Sequence, residues 1–291
     1  MANVVRLSAT QVGMFLRCPR QWAFRYKEFL KIPPSGAMKQ SGVFHSTAER
    51  NYRQKATTLT DLPLDEQTDF FAETWEKELT REEVVFDQQK GETATVLKDQ
   101  GVMIVKEHHA RISPFVTPAS ADSVEEKITL SLATDKGAGV NYELVAVIDV
   151  TDTNGVIRDN KALGKTPNQK DVDRDIQLST YALAKRFQTQ KAEHGLALDI
   201  VVKNKTPKAV TLTTKRTRET LQIHLRDTIG HVAKAIAAEA FPANPTGWWC
   251  DPRWCGYWSR CMGRGLKTVD MGQNLEPQLK ESIDNAERTK Q

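Results

Sequence analysis

The sequence predicts an α/β or α+β fold with a helical insertion ahead of most of the strands. Three observations carry this. Residues 124–133 (VEEKITLSLA) alternate like a strand, and 142–150 (YELVAVIDV) and 155–161 (GVIRDNK) read as two more, joined by a hairpin-type turn. Residues 173–190 (DRDIQLSTYALAKRFQTQ) carry Ile176, Leu183 and Phe187 on one expected stripe of a helix. LALDIVVKN and AVTLTTK then read as two further strands around KTP.

The elements follow in order. Ser8 with Gln11 three residues on has the form of a capping box, and Val12, Phe15 and Leu16 give that helix an apolar face. Pro19 kinks or restarts it, and a second helix is expected from Arg20 to about Leu30. IPPSG breaks the pattern and GVFHSTAERNYRQ opens another helix. Residues 61–112 are charged and helical in character, anchored by Phe70, Phe71, Trp75, Leu79, Val102 and Val105. HARISPFVTPASAD reads as loop, and TDTNG as a hairpin turn between the second and third strands. A long helix is expected over residues 215–241, ending before Pro242. The domain reading is a helical region over 1–60, a helical insertion over 61–120, the core over 121–240, a cysteine region over 241–265 and a polar tail over 266–291.

Composition narrows the class. Of 291 residues, 39% are hydrophobic and 27% charged, which suits a soluble protein with one large core. The formal charge of +4 admits an acidic partner such as nucleic acid without requiring one. The start, MANVVRLSATQVG, lacks the apolar run of a signal peptide, and no stretch approaches a membrane span. A cytoplasmic location without membrane association is the expectation. There four reduced cysteines more often bind metal or lie buried than form disulfides.

The chemistry gathers in the second and third strands. In VIRDNK, Asp159 and Lys161 point to the same face, with Ile157, while Val156, Arg158 and Asn160 face the other. Asp149 ends the apolar run LVAVID, where a lone buried charge is costly. A tight hairpin brings Asp149 towards Asp159, and two carboxylates that repel one another are well disposed to share Mg²⁺ or Mn²⁺. Gln177 and Tyr181 share a helix face, and His45 follows Gly42 in GVFH. Taken singly, each has a plain structural reading: a turn aspartate, a surface ion pair, a capping histidine. The His108–His109 pair reads as solvated or structural, and Glu125 and Glu126 as solvent-facing rather than ligands.

The order His45, Asp149, Asp159-x-Lys161, Gln177-x₃-Tyr181 resembles the RecB-like branch of the PD-(D/E)XK nucleases, over roughly residues 8–261. The resemblance implies a restriction-endonuclease-like core, a mixed sheet flanked by helices. It implies a cation held by His45, Asp149 and Asp159. It assigns Lys161 to activating water or stabilising phosphate charge, with Gln177 and Tyr181 assisting DNA placement. Ala146 stands where many relatives carry glycine, and Asn160 where an aromatic or aliphatic residue is common. The implied activity is a metal-dependent DNA exonuclease acting at ends of single-stranded or duplex DNA in recombination, repair or phage DNA processing. A structure-specific endonuclease and a weakly catalytic DNA-binding scaffold are the alternatives. The branch includes ring-shaped homo-oligomers and members that join recombination proteins.

Cys250-x₄-Cys255-x₅-Cys261 with a remote Cys18 is similar to the iron–sulfur subset of that branch, the AddB-type helicase–nuclease subunits and CRISPR-associated RecB-like exonucleases. The resemblance implies a [4Fe–4S] cluster on these four thiolates, and a cluster domain made from the two ends of the chain. The first gap is looser than usual, a spacing that phage nucleases of the branch tolerate. Zn²⁺ is the rival occupant, less suited because structural zinc sites usually offer two close cysteine pairs. Trp248, Trp249, Trp254, Tyr257 and Trp258, with Arg253 and Arg260 between them, could shield such a site or stack on bases.

Overall fold

A computed structural model describes residues 4–135 and 139–262; the tail expected over 266–291 lies outside the described residues. The chain opens on strand β1 (Val5–Ser8). The Ser8 hydroxyl then accepts from the Gln11 amide and starts helix α1 (Ala9–Arg17). Extended Cys18 interrupts the helix, and Pro19 sits at the first position of α2 (Pro19–Trp22), which continues as a π-helical turn to Lys27. Ser35 caps α3 (Gly36–Thr58). Helices α4 (Leu64–Arg81) and α5 (Ala94–Arg111) complete a helical lobe with it. Gly101 lets α5 approach α4 closely, since a Cβ there would stand 2.0 Å from the Phe71 ring.

Strands β2 (Val124–Ala133), β3 (Asn141–Thr151) and β4 (Val156–Leu163) follow. The Asp152 carboxylate closes the β3–β4 turn by accepting from the Asn154 and Val156 amides, and Gly155 takes φ +73°. Then come α6 (Gln169–Asp173), α7 (Ile176–Thr189), β5 (Gly195–Val202) and β6 (Lys208–Thr214). The expected long helix is present over 218–237 and carries a π-helical turn in its middle: α8 (Arg218–Ile223), the turn over His224–Gly230, and α9 (His231–Ala237) follow without a break. Helix α10 (Trp258–Cys261) is the last.

The six strands form one mixed sheet in the order β1-β3-β4-β5-β6, with β2 also on β3. Pairs β1–β3 and β4–β5 are parallel; β2–β3, β3–β4 and β5–β6 are antiparallel. Strand β1 was not foreseen: residues grouped with the N-terminal helices extend the sheet. Each face has its own core. Phe15, Trp22, Leu178, Leu183 and Val232 cover one face, from α1, α2, α7 and α9. Phe44, Tyr52, Phe71, Trp75 and Ile104 cover the other, from α3, α4 and α5. This is a three-layer α/β arrangement, as composition and periodicity predict. Phe187, placed on the inner stripe of α7 by periodicity, is 43% exposed, because α7 runs past the core at its last turn. Among the described residues no helix is long and apolar enough to cross a membrane.

One irregularity positions the site. Strand β2 covers one edge of β3, so β1 and β4 share the other. β1 pairs with residues 142–145 of β3, and β4 only with Val150 and Thr151. Beyond that point β3 and β4 splay apart. Ile148 and Val150, two residues apart on β3, belong to opposite cores, so the strand rolls over at Asp149.

Candidate active site

The fork between β3 and β4 exposes a backbone donor that the ladder no longer satisfies, the Asn160 amide. The Asp149 carboxylate fills that place, with Oδ2 2.8 Å from Asn160 N. The same oxygen lies 3.2 Å from Nδ1 of His45, which α3 brings in from the helical lobe. Burial works against charge on His45, yet the Asp149 carboxylate outweighs it and holds the imidazole above its usual range. Burial also opposes charge on Asp149, and the His45 bond overrides it and holds the carboxyl below its usual range.

On β4, Asp159 is wholly buried. Lys161 Nζ lies 2.8 Å from Asp159 Oδ2, as the shared strand face requires. The ammonium stands off the hydrogen-bonding direction, so that buried oxygen has no aligned donor. Burial, and next the Asp149 charge, push the Asp159 carboxyl up to about 7. Burial disfavours the charged lysine, but Asp159 and Asp149 more than compensate and hold it above its usual range. From the opposite core α7 supplies Gln177, whose Oε1 accepts from Lys161 Nζ at 2.7 Å and whose Nε2 donates to Tyr181 at 2.6 Å. The Tyr181 hydroxyl reaches Asp159 Oδ1 at 3.5 Å. Burial drives its own ionisation far upward, so it remains a hydroxyl.

All six residues named from the sequence thus meet at the fork. A seventh, Glu125, was read as solvent-facing and is not. The pairs Val124–Val150 and Glu126–Ile148 bracket Glu125 and Asp149 in the β2–β3 register. Ligand atoms of His45, Glu125 and Asp149 lie within 4.8 Å of one another. Glu125 has φ +51°, a left-handed conformation rare for a glutamate inside a strand. Burial, followed by the Asp149 and Glu49 charges, pushes its carboxyl up to about 7. Periodicity alone could not find it, because the signal is a cross-strand register. Its neighbour Glu126 does not face solvent either; it pairs with Lys185 of α7 at 2.6 Å. His108 is buried and structural, not solvated.

A divalent cation fits these residues. A buried carboxylate oxygen without an aligned donor, and three carboxylates against one lysine, make a site short of positive charge. Imidazole nitrogen and carboxylate oxygens together suit Mn²⁺ and Mg²⁺.

The four cysteines also meet. Cys18, Cys250, Cys255 and Cys261 line one cavity with Gln21, Trp249, Tyr257 and Trp258. Among the described residues no three of the sulfurs lie within 4.8 Å of one another. Burial pushes the Cys255 and Cys261 thiols up. Trp249, Tyr257 and Trp258 wall the cavity, whereas Trp248 and Trp254 face outward, 70% and 46% exposed.

A family model described as the PD-(D/E)XK nuclease superfamily matches residues 6–262. Comparison with curated proteins finds no match. Among solved structures, the crystal structure named "Putative exonuclease" from Eubacterium rectale is similar at 12% sequence identity and a TM-score of 0.54. The match covers 86% of this chain and 88% of that one. At that identity the likeness is one of fold.

Proposed function

The chain belongs to the PD-(D/E)XK nuclease superfamily, and from that premise we propose that it is a metal-dependent DNA exonuclease of the RecB-like branch, acting at DNA ends in recombination, repair or phage DNA processing. The observation that carries the reading is the fork itself. Asp149 from β3 and Asp159 and Lys161 from β4 converge where the strands part, with His45 and the Gln177–Tyr181 pair closing the site from the two cores. The name of the Eubacterium rectale structure is in keeping with an exonuclease.

In this reading His45, Asp149 and Asp159 hold one Mg²⁺ or Mn²⁺, which supplies acidity to a water and relieves charge on the phosphate. His45 and the Asn160 amide fix Asp149 from two directions, so the carboxylate is oriented before any ligand arrives. Lys161 keeps its proton, because Asp159 and Asp149 hold it above its usual range. Beside Asp159 it is placed to activate the attacking water or to stabilise charge on the scissile phosphate. Gln177 directs that ammonium, and Tyr181 in turn holds Gln177.

The cysteine cavity holds a [4Fe–4S] cluster in the same proposal. Four thiols converge from both ends of the described chain, the donor set that such clusters use. The one-plus-three spacing of these cysteines in the sequence suits the cluster better than the two close pairs usual for structural zinc.

The test is cleavage by purified full-length chain with Mg²⁺ or Mn²⁺ on end-labelled single-stranded, linear duplex and closed circular DNA. Release of nucleotides from ends, no attack on circles, and loss of that release in Lys161→Ala are expected. Cleavage of circles points to the endonuclease alternative, and metal-independent binding without cleavage to the scaffold. Equal cleavage by wild type and Lys161→Ala removes this active site.

A further inference from the structure

We infer that Glu125 is a protein ligand of the divalent cation, reaching it from β2 across the strand pair from Asp149. This rests on the reading of Asp149 as a cation ligand. It adds a residue from an element that the local spacing of Asp149, Asp159 and Lys161 does not include.

Position comes first. The pairs Val124–Val150 and Glu126–Ile148 bracket Glu125 and Asp149, and the Glu125 oxygen, the Asp149 carboxylate and the His45 ring nitrogen are mutually within 4.8 Å. One ion bound at about 2.0–2.2 Å holds ligand atoms up to about 4.4 Å apart, so these three need close by at most a few tenths of an ångström around it. A glutamate directed there for structural reasons needs a donor. Among the described residues Glu125 makes no hydrogen bond and no ion pair, while its neighbour Glu126 and nearby Glu49 both do, with Lys185 and Arg53.

Charge comes second. Glu125, Asp149 and Asp159 gather beside a single lysine, Lys161. Glu49 does not change the balance, since Arg53 lies 2.8 Å from it. With His45 neutral, three carboxylates against one ammonium leave two negative charges, which one divalent cation neutralises. A separate observation agrees: Asp159, wholly buried beside Asp149, has an oxygen with no aligned donor. One lysine does not satisfy every oxygen of so buried a group, and what it leaves without a donor is costly without a cation.

The experiment is calorimetric titration of full-length chain with Mn²⁺, for wild type, Glu125→Gln and Asp149→Asn, beside thermal melts with and without the metal. Glu125→Gln is expected to bind Mn²⁺ at least about tenfold more weakly. Without metal it should melt above wild type, because a half-buried carboxylate without a donor has gone, and it should gain less from added Mn²⁺. No merely structural role gives that pair of opposite shifts. Wild-type Mn²⁺ affinity in Glu125→Gln, with binding lost in Asp149→Asn, overturns the inference and leaves the proposed function standing. Unchanged affinity in Asp149→Asn, or no binding by wild type, overturns both.

Discussion

His108 Nε2 lies 3.0 Å from Asn160 Oδ1, and both residues are buried. Asn160 stands between Asp159 and Lys161, and its amide donates to Asp149. Helix α5 of the helical lobe is therefore tied, through one side chain, to the backbone that orients the site. Tyr52 of α3 backs the imidazole at 3.2 Å. Burial holds His108 below its usual range, so it is neutral, and the tautomer with its proton on Nε2 donates to Asn160.

His108→Leu leaves the Asn160 side chain buried without its donor and should cost about 1–3 kcal/mol of stability. Adding Asn160→Val removes the stranded acceptor and should recover most of that loss. Urea unfolding of the two single variants and the double variant measures the coupling. Additive effects would show that the pair contributes nothing of its own.

The contact of Gln177 with Lys161 gives a second expectation. Gln177→Leu leaves the ammonium charged but undirected, so kcat on DNA should fall about tenfold with KM little changed. Lys161→Ala removes the charge and should cost about 10²–10³-fold. Steady-state kinetics on a labelled oligonucleotide gives both numbers. If Gln177→Leu matches Lys161→Ala, the glutamine does more than aim the lysine.

Acid stability should depend on His224 in the π-helical turn. Burial, and next the Arg216 charge, lower its pKa to about 4, and Thr180 Oγ1 contacts the ring at 3.2 Å. The folded pKa is therefore below the unfolded value of about 6.5. Between the two, the unfolded chain takes up a proton that the folded chain refuses. The contribution is complete above about pH 6.5 and is lost as pH falls towards 4, at up to about 1.4 kcal/mol per pH unit. Denaturation midpoints of His224→Gln from pH 7 to pH 4.5 should fall less steeply than those of wild type. Parallel curves would remove His224 from the account.

Protein purified without oxygen should be brown and carry about four iron atoms per chain. Cys18→Ser should lose the colour and lower the melting temperature of the whole core, not only of α1. A colourless preparation with one zinc per chain would replace the cluster by the rival metal.

Legibility in the sequence followed the range of the interactions. Strands β2 to β6 and helix α7 write their burial into local sequence pattern, so apolar runs, alternation and one helical stripe revealed them. Asp159 and Lys161 are two residues apart on one strand, and their contact needs no tertiary knowledge. Strand β1 has only four residues and no partner nearby in sequence, so VRLS carried no strand signal. The π-helical turn at His224–Gly230 shifts the helix phase without any proline to mark it. Glu125 was hidden because its place depends on pairing with a strand some twenty residues away and on one left-handed residue. His108 was hidden because its partner is on another layer.

The joining of the two ends sets an order of assembly during synthesis. The Arg20 amide donates to the Pro242 carbonyl, Asn244 to the Arg17 carbonyl and Tyr257 to the Leu30 carbonyl. The partners of helices α1 and α2 are thus among the last described residues to leave the ribosome. At about 5–20 residues per second, the first helices wait roughly ten to fifty seconds for them. During that interval Phe24 lacks the Tyr257 ring that later covers it. The nascent chain passes through a stage in which these helices are exposed to chaperones and proteases, and only the arrival of residues 242–257 closes them.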